Sequence, residues 1–335
     1  HRARFQEGPT EEEIAALGLD EAERRAADRQ RRLRELKDAI RGRFSVRTYR
    51  DPRQLAAFVV KDLTSIIDQH FPAGSAPTLD QREATRQAGF TARLCSVFVK
   101  RPEQFSALDD HVAGSGPPLV VLGEPGSGKS TLLANWVTHR QIHHPDTPVL
   151  SHFVAASTHS SEPRMMFRLL LRQIGRTHGL TIDVTDDIEA LKRTFASALL
   201  SASELGRLVV VVDGADGIAG QSPEGPLSWL PHHLPPEVRL IVSTSQGPTL
   251  DGALRRSWSI LETPALDSEA RKELITAYLD RFAKSLSDAH MARIVAHRHS
   301  ATPRFLAVLL DELRWKGDYA TLGATIDSYL SVGDI

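Results

Sequence analysis

A glycine-rich octapeptide, Gly123-Glu-Pro-Gly-Ser-Gly-Lys-Ser130, lies directly after an apolar run and before a segment of helical pattern. It satisfies the pattern G-x-x-x-x-G-K-[ST], in which backbone N–H groups close around phosphate oxygens and the following helix adds partial positive charge. The lysine reaches the terminal phosphates, and the serine hydroxyl ligates Mg²⁺. The pattern predicts a polyphosphate site made by Gly123, Glu124, Pro125, Gly126, Ser127, Gly128, Lys129, Ser130 and Thr131.

Two carboxylates lie at the end of a second apolar run. Asp213 ends the run Leu208-Val-Val-Val-Val-Asp213, and Asp216 lies three residues later. A carboxylate at the end of a buried strand is unfavourable without a charged partner. Beside a phosphate-binding loop, the expected partner is Mg²⁺ held by Ser130 and Asp213; the alternative is that Asp213 caps the next turn. Asp216 is the nearest second carboxylate that can orient an attacking water; the alternative is that it is a turn residue. The sequence therefore predicts catalytic roles for Lys129, Asp213 and Asp216.

A third apolar run ends in a polar tip, Val238-Arg-Leu-Ile-Val-Ser-Thr-Ser-Gln246. Where a sheet has an extra strand beside the strand that precedes the glycine loop, such a tip faces the terminal phosphate. We therefore expect Thr244, Ser245 or Gln246 to sense that phosphate, with ordinary strand-end residues as the alternative. The Asn/Thr-Lys-x-Asp motif that reads guanine does not occur, and Asn135 is the only asparagine in the chain. An adenine nucleotide, ATP or ADP, is the expected ligand.

The elements around these residues alternate between strands and helices. Apolar runs without alternation indicate strands covered on both faces, and hence a parallel sheet flanked by helices. The predicted strands are 119–122, 148–155, 208–212, 238–243 and 259–262. The predicted helices are about 80–94, 102–113, 129–138, 163–178, 187–203, 267–284, 287–297, 302–315 and 321–331. The expected fold is α/β, a P-loop NTPase parallel sheet flanked by helices, with a mostly helical segment before it and a small all-helical domain after it.

The N-terminal part differs from the rest of the chain in composition and sequence pattern. Residues 1–43 are dense in charges and predict an exposed helix ending near Gly42. The alternating segment 44–49 predicts a short strand, and Pro52 opens a helix. Proline and glycine between 70 and 79 predict a linker. We expect domain boundaries that give segments 1–71, 72–95, 96–265 and 266–335.

Composition excludes several classes of protein. The 335 residues are enough for about two domains, and 41 Lys+Arg against 42 Asp+Glu argue against a broadly basic nucleic-acid binder. The single cysteine, Cys95, excludes an internal disulfide framework and fits a reducing, cytoplasmic compartment. No apolar run approaches the ~18–20 residues of a membrane span. The chain begins with His1, so we expect it to be a piece of a longer polypeptide.

With these motifs in hand, residues from about 96 to 335 resemble the STAND class of P-loop ATPases, and more narrowly NACHT-type proteins of the nephrocystin kind. The resemblance includes the segment Val97-Phe-Val-Lys-Arg101 and the helix start Gly126-Ser-Gly-Lys-Ser-Thr-Leu-Leu-Ala-Asn-Trp136. It also includes Ser151-His-Phe-Val-Ala-Ala-Ser157, Ser228-Trp-Leu-Pro231 and Ala301-Thr-Pro-Arg-Phe-Leu306. Residues 30–69 resemble the tail of a TIR-like domain that precedes such modules.

The resemblance implies a nucleotide switch. In this family an AAA-like domain is followed by a helical domain, a winged helix and a repeat array that binds protein partners. By resemblance, Pro303 approaches the adenine or ribose from the helical domain, while Phe98 and Val99 line the base. ADP holds a closed state in such proteins, and exchange for ATP permits self-oligomerisation. Membrane and nucleic-acid partners are not expected.

Three departures from the family pattern concern hydrolysis more than binding. Gly217 stands where a Glu often follows the second Asp, Gln246 where an Arg often ends the sensor strand, and Lys100 where a Gly is usual. The first hypothesis is a signalling ATPase with slow, Mg²⁺-dependent turnover. The second is a nucleotide-binding scaffold with little or no turnover. A small-molecule kinase or a DNA-linked motor is the least favoured alternative.

Overall fold

The computed structural model describes residues 14–16, 18–70, 77–219, 225–231, 233–315 and 319–331. The chain divides into two units, His1–Ala76 and Pro77–Ile335. The predicted linker between them falls mostly on residues 71–76, which lie outside the described residues. No described helix combines the length and apolarity needed to cross a bilayer.

The first unit contains helices α1 (Leu19–Arg43) and α2 (Pro52–His70), as predicted. The strand predicted over residues 44–49 is wrong, because the structure has no regular element there. Phe44 and Val46 alternate with polar residues as in a strand, but both are exposed, as is Tyr49. A single extended segment without a partner strand to complete its backbone hydrogen bonds is not stable in water.

The second unit is built on a five-stranded parallel sheet within the described residues, in the order β2-β3-β4-β1-β5. All four strand pairings are parallel, which confirms the prediction from the unbroken apolar runs. The predicted strand 148–155 ends earlier, because Val154–Ala156 forms a 3₁₀ turn. The strands are β1 (Leu119–Leu122), β2 (Val149–Phe153), β3 (Leu208–Asp213), β4 (Val238–Thr244) and β5 (Ser259–Glu262).

Helices cover both faces of this sheet. Alternate residues of β3 face opposite sides, so Val210 and Val212 join one apolar core while Val209 and Val211 join another. The first core is closed mainly by α6 and α7, and the second by α4 and α5. The helices are α3 (Leu79–Leu94), α4 (Pro102–Ala113), α5 (Lys129–His143), α6 (Pro163–His178), α7 (Ile188–Leu205) and α8 (Pro248–Arg255).

Helix α3 is fixed to the sheet by buried polar side chains. Its first turn is closed by a capping box between Thr78 and Gln81. The Ser157 hydroxyl donates to the Glu83 carboxylate, and its Oγ lies 2.8 Å from each of the two carboxylate oxygens. The carboxylate of Asp80, 3% exposed, pairs with Arg168 of α6. Because buried charges are stable only when paired or hydrogen-bonded, these contacts fix where α3 packs.

Two glutamines pair with the outer edge of β2. The side-chain amide of Gln87 donates to the Phe153 carbonyl at 2.9 Å and accepts from the Phe153 N–H at 2.8 Å. Gln173 makes the same two bonds with Ser151, both at 3.1 Å. Each amide thereby supplies the donor and the acceptor that a further strand would supply.

The described residues after Asp267 form four α-helices, as predicted. Its helices pack around a third apolar core that includes Ile275, Ile294, Leu306 and Leu310. The elements are α9 (Ser268–Asp280), α10 (Asp288–Ala296), α11 (Pro303–Trp315) and α12 (Tyr319–Ser331).

Candidate functional site

The glycine loop joins β1 to the start of α5 at the carboxyl end of the sheet. Gly126 has φ +85° and Gly128 has φ +95°, so both lie in the left-handed region that other residues enter only at a cost. Gly128 is the N-cap of α5, and Lys129 and Ser130 begin the helix. The loop therefore presents backbone N–H groups at a helix N-terminus, the arrangement that binds phosphate.

Lys129 folds back onto its own loop. Its Nζ donates to the carbonyls of Gly123 at 2.6 Å and Glu124 at 3.1 Å, and to the Ser245 hydroxyl at 3.3 Å. Burial lowers the pKa of the Lys129 ammonium, and the charges of Asp216, Asp213 and Glu124 oppose that shift. All the direct partners of the ammonium are neutral, so it can exchange them for a phosphate oxygen without separating an ion pair.

Asp213 ends β3 and is 1% exposed. Burial raises its pKa, while hydrogen bonds from the Ser243 and Ser130 hydroxyls oppose the rise. The structure thus brings together Ser130 and Asp213, the two residues predicted to hold Mg²⁺. Hydroxyl and carboxylate oxygens are the hard donors that Mg²⁺ takes, so this donor set fits the ion.

Asp216 lies in the turn Ala215–Gly217 and is exposed. Its Oδ2 accepts a hydrogen bond from the Ser245 N–H at 3.1 Å. Because Ser245 also contacts Lys129, the β4 tip connects the second carboxylate to the lysine. The other carboxylate oxygen of Asp216 has no hydrogen bond among the described residues, which leaves it available to a water.

The tip of β4 lies between the P-loop strand and the strand of Asp213, as predicted. Ser243 and Ser245 make the contacts there. Gln246 is exposed and makes no hydrogen bond within the described ranges, so its predicted role as a phosphate sensor remains a prediction. Ser243 was missed by the sequence reasoning, although a serine directly after the apolar run Leu240-Ile-Val242 was a usable signal.

A cavity of about 370 Å³ lies against the P-loop. Its walls come from three parts of the second unit: the segment before α4, the P-loop, and the helical region. Of the residues predicted to bind nucleotide, those lining it are Phe98, Val99, Gly126, Gly128, Lys129, Ser130, Thr131 and Pro303. Gly123, Glu124, Pro125, Ser127 and Gln246 do not line it; the first two contribute carbonyls to Lys129.

Two arginines complete this cavity and were not assigned a role from sequence. Arg101 donates to the Ser127 carbonyl at 3.1 Å and to the Pro264 carbonyl at 2.9 Å, so it ties the P-loop to the segment that leads into α9. Burial lowers the pKa of Arg101. Arg304 follows Pro303 at the start of α11. The two hydrogen bonds of Arg101 join residues that are far apart in sequence, so a local sequence pattern cannot reveal them.

The histidines within the described residues do not form a metal site. Among the residues that the structure describes, no group of three or more His, Cys, Asp or Glu side chains is arranged to hold a metal ion. His152 is fully buried on β2, with Nε2 at 2.7 Å from the Ser160 carbonyl. Burial lowers the pKa of His152, and the hydrogen bond with the Ser160 carbonyl opposes that shift.

Three features of this site define a P-loop NTPase. They are a glycine loop between a strand and a helix, a Lys-Ser pair at the start of that helix, and a carboxylate two strands away in the sheet. Residues 117–281 match the family model described as NACHT domain. The site is therefore that of a P-loop NTPase, and the segment similar to the NACHT domain covers just under half of the chain.

Relatives of known name agree with this class. The chain is 34% identical to Nephrocystin-3 of Homo sapiens over 67% of this chain and 16% of that protein. It is 25% identical to a TPR repeat-containing protein of Dictyostelium discoideum over 89% of this chain and 22% of that protein. The chain thus spans about a fifth of the length of these relatives.

Among solved structures, a Walker-type ATPase of Pyrococcus abyssi superposes with a TM-score of 0.53 and 17% identity, over 70% of this chain and 72% of that one. At that identity the likeness concerns the fold alone.

Proposed function

We propose that this chain is a STAND-type nucleotide switch that binds ATP and ADP, hydrolyses ATP slowly with Mg²⁺, and couples nucleotide state to the orientation of its helical domain. The observation that carries the proposal is the contact between the P-loop and α11. A Cβ at Gly128 would lie 3.5 Å from Cγ of Pro303, so the helical region closes directly over the loop. A nucleotide in this cavity touches both parts and therefore biases their relative orientation.

The residues have distinct roles in this proposal. The P-loop N–H groups and Lys129 bind the phosphates, Ser130 and Asp213 hold Mg²⁺, and Asp216 orients the attacking water. When bound, Mg²⁺ supplies the positive charge that offsets the charge developing on the phosphates. Phe98 and Val99 line the base, and Pro303 packs against the base or ribose.

Assembly and partners belong to the same proposal. We infer that the ATP state self-associates through the nucleotide-binding domain. The tetratricopeptide repeats in the names of several relatives support a repeat array, outside this chain, that binds protein partners. Residues 30–69 are proposed as the tail of a TIR-like domain, and a cytoplasmic location remains the expectation from the single cysteine.

The second candidate is a scaffold that retains nucleotide with little turnover. It is favoured by Gln246, which is exposed and makes no hydrogen bond within the described residues, and by Gly217, which places no carboxylate beside Asp216. The two candidates share one binding site, but only the switch requires turnover and a change of domain orientation with nucleotide state.

The deciding experiment is to denature the purified chain, identify any released nucleotide by chromatography, and assay ATP hydrolysis on the same preparation. ADP with slow turnover supports the switch, and ATP without turnover supports the scaffold. Lys129→Ala should abolish nucleotide retention and weaken ATP binding by at least about a hundredfold, because a charge-assisted phosphate contact is lost. Lys272→Ala, which removes an exposed lysine paired with Glu269, is the matched control. Failure of wild type to bind either nucleotide would refute both candidates.

A further inference from the structure

The turn that carries Asp216 packs against a second chain segment, residues 154–161, which follows β2 (the β2-exit segment). Val154, 6% exposed, lies against the glycines before and after Asp216. Its Cβ is 3.6 Å from where a Cβ on Gly214 would lie, and its Cγ1 is 3.2 Å from where a Cβ on Gly217 would lie. The second distance is shorter than an ordinary carbon–carbon contact. Val154 therefore occupies the space that a side chain at position 217 would need.

The β2-exit segment also holds the chain just after this turn. The Ser161 carbonyl accepts a hydrogen bond from the Ala219 N–H at 2.8 Å. The tip of β4 makes the remaining contact, since the Ser245 N–H donates to Oδ2 of Asp216 at 3.1 Å. The place of the Asp216 carboxylate thus depends on two parts of the fold, the β4 tip and the β2-exit segment.

Helix α3 fixes the β2-exit segment through buried polar side chains. The Glu83 carboxylate, 1% exposed, accepts hydrogen bonds from the Ser157 and Ser160 hydroxyls. The Gln87 amide donates to Oγ of Ser160 at 3.0 Å and also pairs with the backbone at the end of β2. Because a buried carboxylate is costly without these partners, α3 and the segment keep one arrangement. Helix α3 is the first helix of the second unit.

We propose that Val154 is a positioning residue for Asp216 and that α3 holds Val154 in place, so that the packing of α3 sets the rate of ATP hydrolysis. This inference rests on the proposed role of Asp216 and adds a route by which a remote helix reaches that carboxylate. A misplacement of about 1 Å in a reacting group can cost about a hundredfold in rate. Val154 is not among the described residues that line the cavity against the P-loop, so nucleotide affinity does not depend on it.

The test exchanges size between Val154 and Gly217. Val154→Ala, Gly217→Ala and the double variant are made in the full chain, and Val154→Ala is also made in the Asp216→Asn background. Val238→Ala is the matched control, because it shortens a valine of the same apolar core at the start of β4. Single-turnover hydrolysis, Mg-ATP affinity by displacement of a fluorescent ADP analogue, and urea unfolding are measured for each variant.

Each single variant at Val154 or Gly217 should lose about tenfold in single-turnover rate and keep its Mg-ATP affinity within about twofold. Val154→Ala leaves a gap beside the turn, whereas Gly217→Ala pushes the turn away from Val154. The double variant should return to within about threefold of the wild-type rate, because the two changes in size compensate. In the Asp216→Asn background, Val154→Ala should cause no further loss. Val238→Ala should lose stability and keep its turnover.

Glu83→Gln tests the contact with α3. The amide has one acceptor oxygen where the carboxylate has two, so the Ser157 and Ser160 hydroxyls cannot both keep their bonds. We expect a lower single-turnover rate with Mg-ATP affinity preserved, and no further loss in the Asp216→Asn background. Gln87→Ala, which leaves the carboxylate in place, tests the same contact if Glu83→Gln does not fold. Wild-type turnover in a folded variant of this pair would overturn the role of α3.

Three outcomes would overturn the role of Val154 and leave the proposed function standing. They are equal rate losses in Val154→Ala and Val238→Ala, additive losses in the double variant, and a further loss from Val154→Ala in the Asp216→Asn background. A wild-type chain that binds Mg-ATP and never hydrolyses it would instead support the scaffold, and the inference would fail together with the proposed hydrolysis.

Discussion

The hydroxyl of Ser243 donates to Oδ1 of Asp213 at 2.6 Å and accepts the Gly214 N–H at 2.8 Å. One side chain of β4 therefore satisfies both the carboxylate that ends β3 and the backbone of the turn that follows. The consequence is that the position of Asp213 depends on the neighbouring strand as well as on its own.

Replacing Ser243 with alanine should destabilise the fold. Asp213 and the Gly214 N–H would each lose a partner in a site nearly closed to water, at a cost of about 1–3 kcal/mol in the free energy of unfolding. Urea unfolding of Ser243→Ala and wild type measures the difference. Ser203→Ala is the control, because within the part of the chain that the structure describes the Ser203 hydroxyl bonds only to the Leu200 carbonyl of its own helix. Equal loss in both variants would argue against a special role for Ser243.

Asp216→Asn separates binding from hydrolysis. The amide oxygen can still accept the Ser245 N–H, so the turn and nucleotide affinity should be preserved. Turnover should fall by about a hundredfold or more if the carboxylate orients water, the usual contribution of a positioned acid or base. Single-turnover hydrolysis of ATP, with affinity measured in parallel, gives the answer. Unchanged turnover would remove Asp216 from the mechanism.

Gly126→Ala should disturb the loop and α11 together. A methyl group at this position would meet Cβ of Arg304 at 2.8 Å and would occupy a backbone conformation with φ +85°. We expect a loss of about 1–3 kcal/mol in stability and a loss of nucleotide binding. Gly89→Ala is the control, because Gly89 is an exposed position of α3 with open space around it. That variant should gain about 0.5–1 kcal/mol from helix propensity.

The Asp80 pair predicts how stability changes with pH. Burial raises the pKa of Asp80, but the hydrogen bonds and charges of Arg168 and Arg172 outweigh it and hold the pKa below its ordinary value of 3.8. A carboxyl group with a lowered folded-state pKa stabilises the fold above its unfolded pKa. That contribution disappears as the pH falls through the folded-state value.

Asp80→Asn should therefore cost about 1–3 kcal/mol at pH 7, and the gap to wild type should narrow below about pH 3.8. Urea unfolding between pH 7 and pH 3 tests this. Asp186→Asn removes the exposed second partner of Arg168 and should have a much smaller effect at every pH. A gap that stayed constant to pH 3 would contradict the ion-pair explanation.

Local sequence was sufficient for the sheet and for most of the site. The unbroken apolar runs before Gly123 and Asp213 identified buried parallel strands, and the loop pattern placed Lys129 and Ser130 at a helix start. The strand predicted over residues 44–49 was wrong because an alternating sequence does not by itself provide a partner strand. The contacts of Ser243, Arg101 and Arg304 could not be predicted from the sequence. Each of them joins chain segments that only the folded topology brings together.

The glutamine pairs on β2 also bear on how copies of this chain can associate. Gln87 and Gln173 occupy the outward-facing N–H and C=O groups of Phe153 and Ser151. A second molecule cannot extend the sheet at this edge without first displacing two side-chain amides, which are held at short range by helices α3 and α6. These side chains therefore oppose growth of a continuous intermolecular β-ladder from β2, and with it strand-mediated aggregation at this edge.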